Sequence, residues 1–255
     1  MIFIKNLLLL CFVSLALNAH ASDLAKEKRW ADQVIEAILD GDAVWLNDGA
    51  HDFLGIYTEA EEESGRAVIV MHGTGVHPDW TQVVQPLRVG LTEHGWNTLS
   101  IQMPVLANEA KHEDYAPLYD EVAPRIDAAI AYLKENGLKQ IVLIGHSQGA
   151  SMTAYYLSAK DKDVGGFVAI GLSGHAEDIR MNGVSSIEKI KVPMLDLYGD
   201  EDLEGILEST KSREVAAQKS ANKDFSQRKI QGNHFYDGNE EGLVDAVSDW
   251  LKRFN

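Results

Sequence analysis

Three stretches of the chain carry side chains that, taken together, could transfer an acyl group. The first is Ile141–Ser151, IVLIGHSQGAS, where Ser147 stands between Gly145 and Gly149. Ile141 to Ile144 is apolar enough for a buried strand, and a helix is expected from Gly149. A Gly-x-Ser-x-Gly turn between strand and helix is a nucleophile elbow: the serine is held in a strained backbone conformation with its hydroxyl above the sheet. The turn brings backbone segments so close that positions 145 and 149 have no room for a Cβ, and the helix N-terminus favours negative charge there. A serine hydroxyl needs a base, and the base needs an acid to orient it. Only His175 and His234 follow Ser147. His234, in KIQGNHFYDG, lies between the last expected strand and the last expected helix, whereas His175 precedes every good acid candidate. The chain order serine, acid, histidine makes His234 the base. The acid must come from MLDLYGDEDLEG, which offers Asp196, Asp200, Glu201 and Asp202. Asp196 falls inside a strand and reads as structural. The other three are expected on the loop, and spacing alone does not choose among them.

The elements that must position these groups alternate in type. Asp23 to Leu39 has helical spacing and ends at Gly41; Ala43 to Leu46 and Asp52 to Tyr57 form a hairpin around Asn47-Asp48-Gly49. From Arg66, strands are expected at 68–71, 96–101, 140–144, 167–172, 194–198 and 225–230. Helices are expected at 83–94, 117–136, 149–160, 208–220 and 240–254. Alternation of this kind implies parallel strands with helices on both faces, and ligands then sit beyond the carboxyl ends of the strands. With no repeat or linker, residues 22–255 read as one domain: a helix and hairpin over 22–65 and a core over 66–255. Leu172 to Pro193 is too short to hold a large lid domain, so an open site is expected.

Composition narrows the function. Met1–Asn6 carries one cation, Lys5, followed by the apolar run Leu7–Leu17 and the small-x-small sequence Ala19-His20-Ala21. That is a secretory signal peptide, too short to span a bilayer, with cleavage after Ala21. Export to a periplasmic or external location follows, with no stable membrane insertion afterwards. The one cysteine, Cys11, leaves with the signal, so a Cys nucleophile and a thiolate metal site are excluded. Removing residues 1–21 takes away Lys5 and no acid, so the formal charge moves from −16 to −17. Nucleic acid and anionic lipid surfaces are poor partners for such a chain. No dinucleotide fingerprint is present, and His72, His77 and Asp79 match no zinc spacing. Neither a cofactor nor a metal is expected.

Four motifs, VMHGTG, GHSQGA, YGDEDL and GNHF, together resemble the α/β-hydrolase superfamily over about residues 66–255. The segment HGTGVHPDW…PLRVGLTEHGWNTLSIQMP is similar to a group of exported bacterial α/β-hydrolase-like proteins. The resemblance implies a mostly parallel sheet covered by helices on both faces. It also implies that the acid comes three residues after the strand-end glycine, which from Gly199 is Asp202. The oxyanion hole would use the backbone N–H of Gln148, just after the nucleophile, and by family placement that of Thr74. His72 then reads as a histidine that shapes its loop. Trp80, Tyr115 and Tyr119 either line a pocket or pack in the core. The activity so implied is hydrolysis of a small carboxylic ester through an acyl-enzyme. The alternatives are a peptidase or amidase with the same triad, or a non-catalytic binding protein of the cell envelope.

Overall fold

The computed structural model describes residues 22–159, 163–220, 222 and 224–254. The expected signal segment and the end of the helix at Lys160 lie outside these residues. Eight strands form one sheet: β1 (Asp42–Asn47), β2 (Asp52–Thr58), β3 (Arg66–Met71), β4 (Asn97–Ile101), β5 (Gln140–His146), β6 (Gly166–Ile170), β7 (Met194–Glu201) and β8 (Phe225–Asn233). Their spatial order is β1-β2-β4-β3-β5-β6-β7-β8. The β1–β2 hairpin is antiparallel, β2 runs antiparallel to β4, and every other pair is parallel.

Side-chain alternation along the strands builds a core on each face. Ile69, Leu143 and Ala169 face one way and meet α3 (Val122–Glu135), α4 (Gln148–Ala159) and α6 (Glu204–Lys219). Val68, Val70, Val142, Ile144 and Ile170 face the other way, against α2 (Val84–Gly90) and α7 (Glu240–Leu251). Between β6 and β7 only a 3-10 turn at Ile179–Met181 and the five-residue α5 (Gly183–Ile187) intervene, so no large lid is present there. The first helix, α1 (Leu24–Ala37), is capped by Asp23, which accepts from the Lys26 N–H at 2.9 Å, and packs Ala31 and Val34 on Leu54 and Ile56 of β2.

Several element ends depart from the sequence reading, and three of the departures bear on the site. The helix expected from Pro117 begins at Val122; before it, residues 112–121 form a run of 3-10 turns with Pro117 inside it. Pro124 falls at the third position of α3, where its missing N–H has no intrahelical partner to lose. Strand β7 runs on through Asp200 and Glu201, carried past its apolar run by pairing with β8 and a bulge between Gly199 and Glu201. Those two acids therefore stand in the strand, and only Asp202 is on the loop. α6 starts four residues early, at Glu204.

Candidate active site

β7 follows β5 by two strands and β8 by three, yet their carboxyl ends share one edge of the sheet, and the residues just past them meet there. The turn after β5 is the tight one. Ser147 has φ 54°, the left-handed region that a side chain adopts only at a cost. Its N–H donates to the Ile170 carbonyl at the end of β6 at 2.8 Å, which fixes the turn. A Cβ on Gly145 would stand 2.6 Å from the Gly149 carbonyl oxygen, and one on Gly149 would stand 2.4 Å from the His72 carbonyl oxygen. Both glycines are thus required by close backbone approach. Gly73 brings the loop after β3 against Ser147: a Cβ there would lie 3.2 Å from the Ser147 Cβ.

The three side chains picked out as nucleophile, base and acid form one hydrogen-bonded line. Ser147 Oγ is 3.0 Å from His234 Nε2, and His234 Nδ1 is 2.6 Å from Asp202 Oδ1. A carboxylate only accepts, so Nδ1–H donates to Asp202 and Nε2 is left to accept from the serine hydroxyl. Asp202 is 6% exposed and His234 likewise 6%. Burial pushes the Asp202 carboxyl up, but the hydrogen bond and charge of His234 and the N–H groups of Leu203 and Gly199 outweigh it. The net shift is downward, which keeps the group ionised. Asp200 has a different partner: its Oδ1 accepts from the Gly232 N–H at 2.8 Å, tying β7 to β8. Asp196 is fully buried and pairs with Arg213 at 2.8 Å. His175 stands exposed after β6.

Thr74 and Gln148 lie on the two segments that flank Ser147. Gln148 is the first residue of α4, so its N–H has no intrahelical acceptor and points with the helix N-terminus. His72 holds the other segment. Its Nε2 accepts from the Met103 N–H at 2.9 Å, which leaves Nδ1 to donate to the Gly73 carbonyl at 2.8 Å. Burial pushes its pKa down to about 3, so the ring is neutral and serves as a two-sided brace. Asp79 is engaged by Arg88 at 2.6 Å, and the His77 ring sits edge-on between Trp30 and Trp80. Among the described residues no group of three His, Cys, Asp or Glu side chains could hold a metal ion.

Three neighbours were not singled out in the sequence for this place. The His146 ring lies 4.8 Å from the His234 ring, and its Nε2–H donates to the His234 carbonyl at 2.9 Å. Burial drives its pKa down to about 3, with the neighbouring His234 adding to the effect. Gly171, at φ 61°, passes beneath the dyad, where a Cβ would sit 2.8 Å from His234 Cε1. Phe235 covers both rings edge-on. Only His146 left a signal, its position next to the elbow serine. Of the aromatics read as either lining or packing, Tyr119 is buried and takes a 2.7 Å hydrogen bond from Gln148 Nε2, while Tyr115 is buried and accepts from the Leu106 N–H.

A family profile described as protein of unknown function (DUF3530) matches residues 7–124 and 109–253. No curated protein matches the chain in sequence. Among solved structures the chain is similar to Est1E from Butyrivibrio proteoclasticus, with TM-score 0.63 and 15% identity over 83% of this chain and 98% of that one. It is similar also to an alpha-beta serine hydrolase homologue from Coxiella burnetii, with TM-score 0.65 and 19% identity over 84% and 99%. A third is dienelactone hydrolase from Anabaena variabilis, with TM-score 0.65 and 18% identity over 83% and 96%. At such identities the likeness is one of fold, and the fold is that of the α/β hydrolases.

Proposed function

We infer the function from two premises: the chain belongs to the DUF3530 family, and its fold is that of an α/β hydrolase. We propose that it is an exported serine hydrolase that cleaves a small carboxylic ester, with Ser147 as nucleophile, His234 as base and Asp202 as orienting acid. The observation that carries this reading is the unbroken line from Ser147 Oγ through His234 to Asp202, 3.0 and 2.6 Å, at the carboxyl edge of a parallel sheet. Solved neighbours described as esterases support the ester class. The exported location rests on the Met1–Ala21 sequence; among the described residues no helix is long and apolar enough to cross a membrane.

Each step uses a group already in place. Ser147 Oγ attacks the acyl carbonyl as its proton passes to His234 Nε2, and the ionised Asp202 stabilises the imidazolium that forms. The carbonyl oxygen, now anionic, takes hydrogen bonds from the N–H groups of Gln148 and Thr74, each worth on the order of 10²–10³ in rate. His234 returns the proton to the leaving alkoxide, an acyl-enzyme remains on Ser147, and water reverses the sequence to free the acid. His72 and His146 are neutral and take no proton at working pH. They hold the oxyanion loop and the base.

A fluorophosphonate probe tests this directly. It should attach covalently at Ser147 and abolish hydrolysis of 4-nitrophenyl acetate. Ser147→Ala should neither label nor turn over, with a loss on the order of 10⁶-fold in kcat. Turnover within tenfold of wild type by folded Ser147→Ala would end the proposal, and an unlabelled but folded wild-type protein would leave a binding role in its place.

A further inference from the structure

Ser22, the residue that cleavage after Ala21 would make first, is already seated. It is 8% exposed. Its backbone N–H donates to Glu121 Oε1 at 3.1 Å, and its hydroxyl donates to Oε2 of the same carboxylate at 2.8 Å. We propose that Glu121 is the receptor for the α-ammonium that signal removal creates at Ser22, a charged clamp that exists only in the processed chain. The proposal rests on the export reading of residues 1–21 and not on the esterase chemistry.

The chemistry is simple. A signal peptidase adds water across the Ala21–Ser22 amide; Ala21 departs with a new carboxylate, and Ser22 keeps the amine. An α-amine ordinarily titrates near pH 8, about, so at neutral pH it takes up a proton. Before cleavage the Ser22 nitrogen offers Glu121 one neutral N–H. Afterwards it offers a full positive charge at the same 3.1 Å, and charge-assisted hydrogen bonds are roughly twice as strong as neutral ones.

The surroundings lack that charge. Glu27 Oε2 pairs with Arg125 Nη1 at 2.9 Å, and Asp48 Oδ2 lies 3.5 Å from Arg125 Nε. Arg125 Nη2 reaches the Ser22 hydroxyl at 3.5 Å. Glu27 and Asp48 thus share the guanidinium of Arg125, and Glu121 is joined to it only through the Ser22 hydroxyl. Burial pushes the Glu27 carboxyl up despite that guanidinium, and the Glu121 charge adds to the rise. An ammonium at Ser22 supplies the missing cation.

The clamp reaches toward the reacting groups. Glu121 ends the 3-10 run whose Tyr119 hydroxyl holds the Gln148 side chain. Arg125 also donates to the Gln102 carbonyl at 3.0 Å, and the Gln102 side chain touches His72 Nε2 at 2.8 Å. Asp23 and Lys26 fasten the segment after β4 through the Val105 and Leu106 carbonyls. The new N-terminus is thus joined, through Glu121 and Arg125, to the segments that hold the Gln148 and His72 side chains.

Two proteins that differ by one residue test the clamp: the chain starting at Ser22, and the same chain with Ala21 retained, which moves the ammonium outward. Glu121→Gln, which keeps an acceptor at Oε1, is made in each. The Ser22 form should melt about 3–6 °C above the Ala21 form, and Glu121→Gln should remove that advantage while leaving the Ala21 form within about 1 °C. Equal losses from Glu121→Gln in both forms, or no difference between the two starting forms, would overturn the clamp. A second readout does not depend on stability. The Ser22 amine should react more slowly with an amine-labelling reagent at pH 7 than the Ala21 amine does, and Glu121→Gln should abolish the difference. Sequencing the exported chain from its N-terminus must give Ser22 first; any other first residue ends this proposal and leaves the esterase reading intact. Failure of fluorophosphonate labelling would do the reverse.

Discussion

Asp200 and Asp202 differ by two positions in the chain and by everything else in their surroundings. Asp202 accepts from His234 Nδ1–H and from two backbone N–H groups, while Asp200 spends its Oδ1 on the Gly232 N–H between β7 and β8. Asparagine at 202 would present an N–H to the imidazole or favour the wrong tautomer, and kcat/KM should fall on the order of 10⁴-fold. Asp200→Asn keeps an oxygen where Oδ1 stands, so kcat/KM should change less than about tenfold. Steady-state kinetics on a 4-nitrophenyl ester decide the matter, and a reversed ranking would move the acid to Asp200. His146 belongs to the same scale. Burial keeps its ring neutral, and it fixes the backbone carbonyl of His234 and lies against one side of that ring.

At the scale of elements, what the sequence declares is what local physics controls. β3 and β5 are apolar on both faces, and the serine lies between a strand pattern and a helix pattern, so elbow and sheet edge are both legible. Element ends are less so. β7 continues through Asp200 and Glu201 because β8 pairs with it, a cause that lies about 30 residues downstream. Gly171 is illegible for the same kind of reason: nothing near it in sequence tells that His234 will pass over it. Two glycines separate the effect of this approach from that of backbone strain. Gly171 and Gly137 both have positive φ, 61° and 85°. A Cβ at Gly137 meets nothing within 4 Å, whereas one at Gly171 meets His234 Cε1 at 2.8 Å and Nδ1 at 3.0 Å. Each alanine variant should cost about 1–2 kcal/mol from the left-handed backbone. Only Gly171→Ala should also push His234, the proposed base, out of line, and a displacement near 1 Å costs about 10²-fold in kcat. Equal kcat for the two variants would mean that the imidazole shifts without penalty.

Over the whole molecule, buried histidines set the response to acid. His72 and His146 are 1% and 5% exposed, and burial holds both pKa values down to about 3 in the folded chain. In the unfolded chain each returns to about 6.5. Below that pH the unfolded state binds protons that the folded state refuses, so stability is fully present above about pH 6.5 and declines as pH falls toward 3. Each ring contributes a slope approaching about 1.4 kcal/mol per pH unit. Asp202, whose folded pKa is depressed, acts in the same direction in the carboxylate range. Glu27 opposes it, since burial raises its pKa and the folded chain takes that proton first. The net negative charge also opposes, because acid relieves self-repulsion among 39 Asp and Glu against 23 Lys and Arg. Above pH 5 most carboxylates remain ionised, and the histidines should dominate. Urea unfolding at pH 7.5, 6.5, 5.5 and 5.0 measures the outcome. Stability should hold nearly level over the first interval and then fall with a slope of about two protons or more, since burial also lowers the pKa values of His77 and His112. A level curve down to pH 5 would mean that one or both rings accept a proton inside the fold, and their service as neutral braces of the oxyanion loop and the base would have to be abandoned.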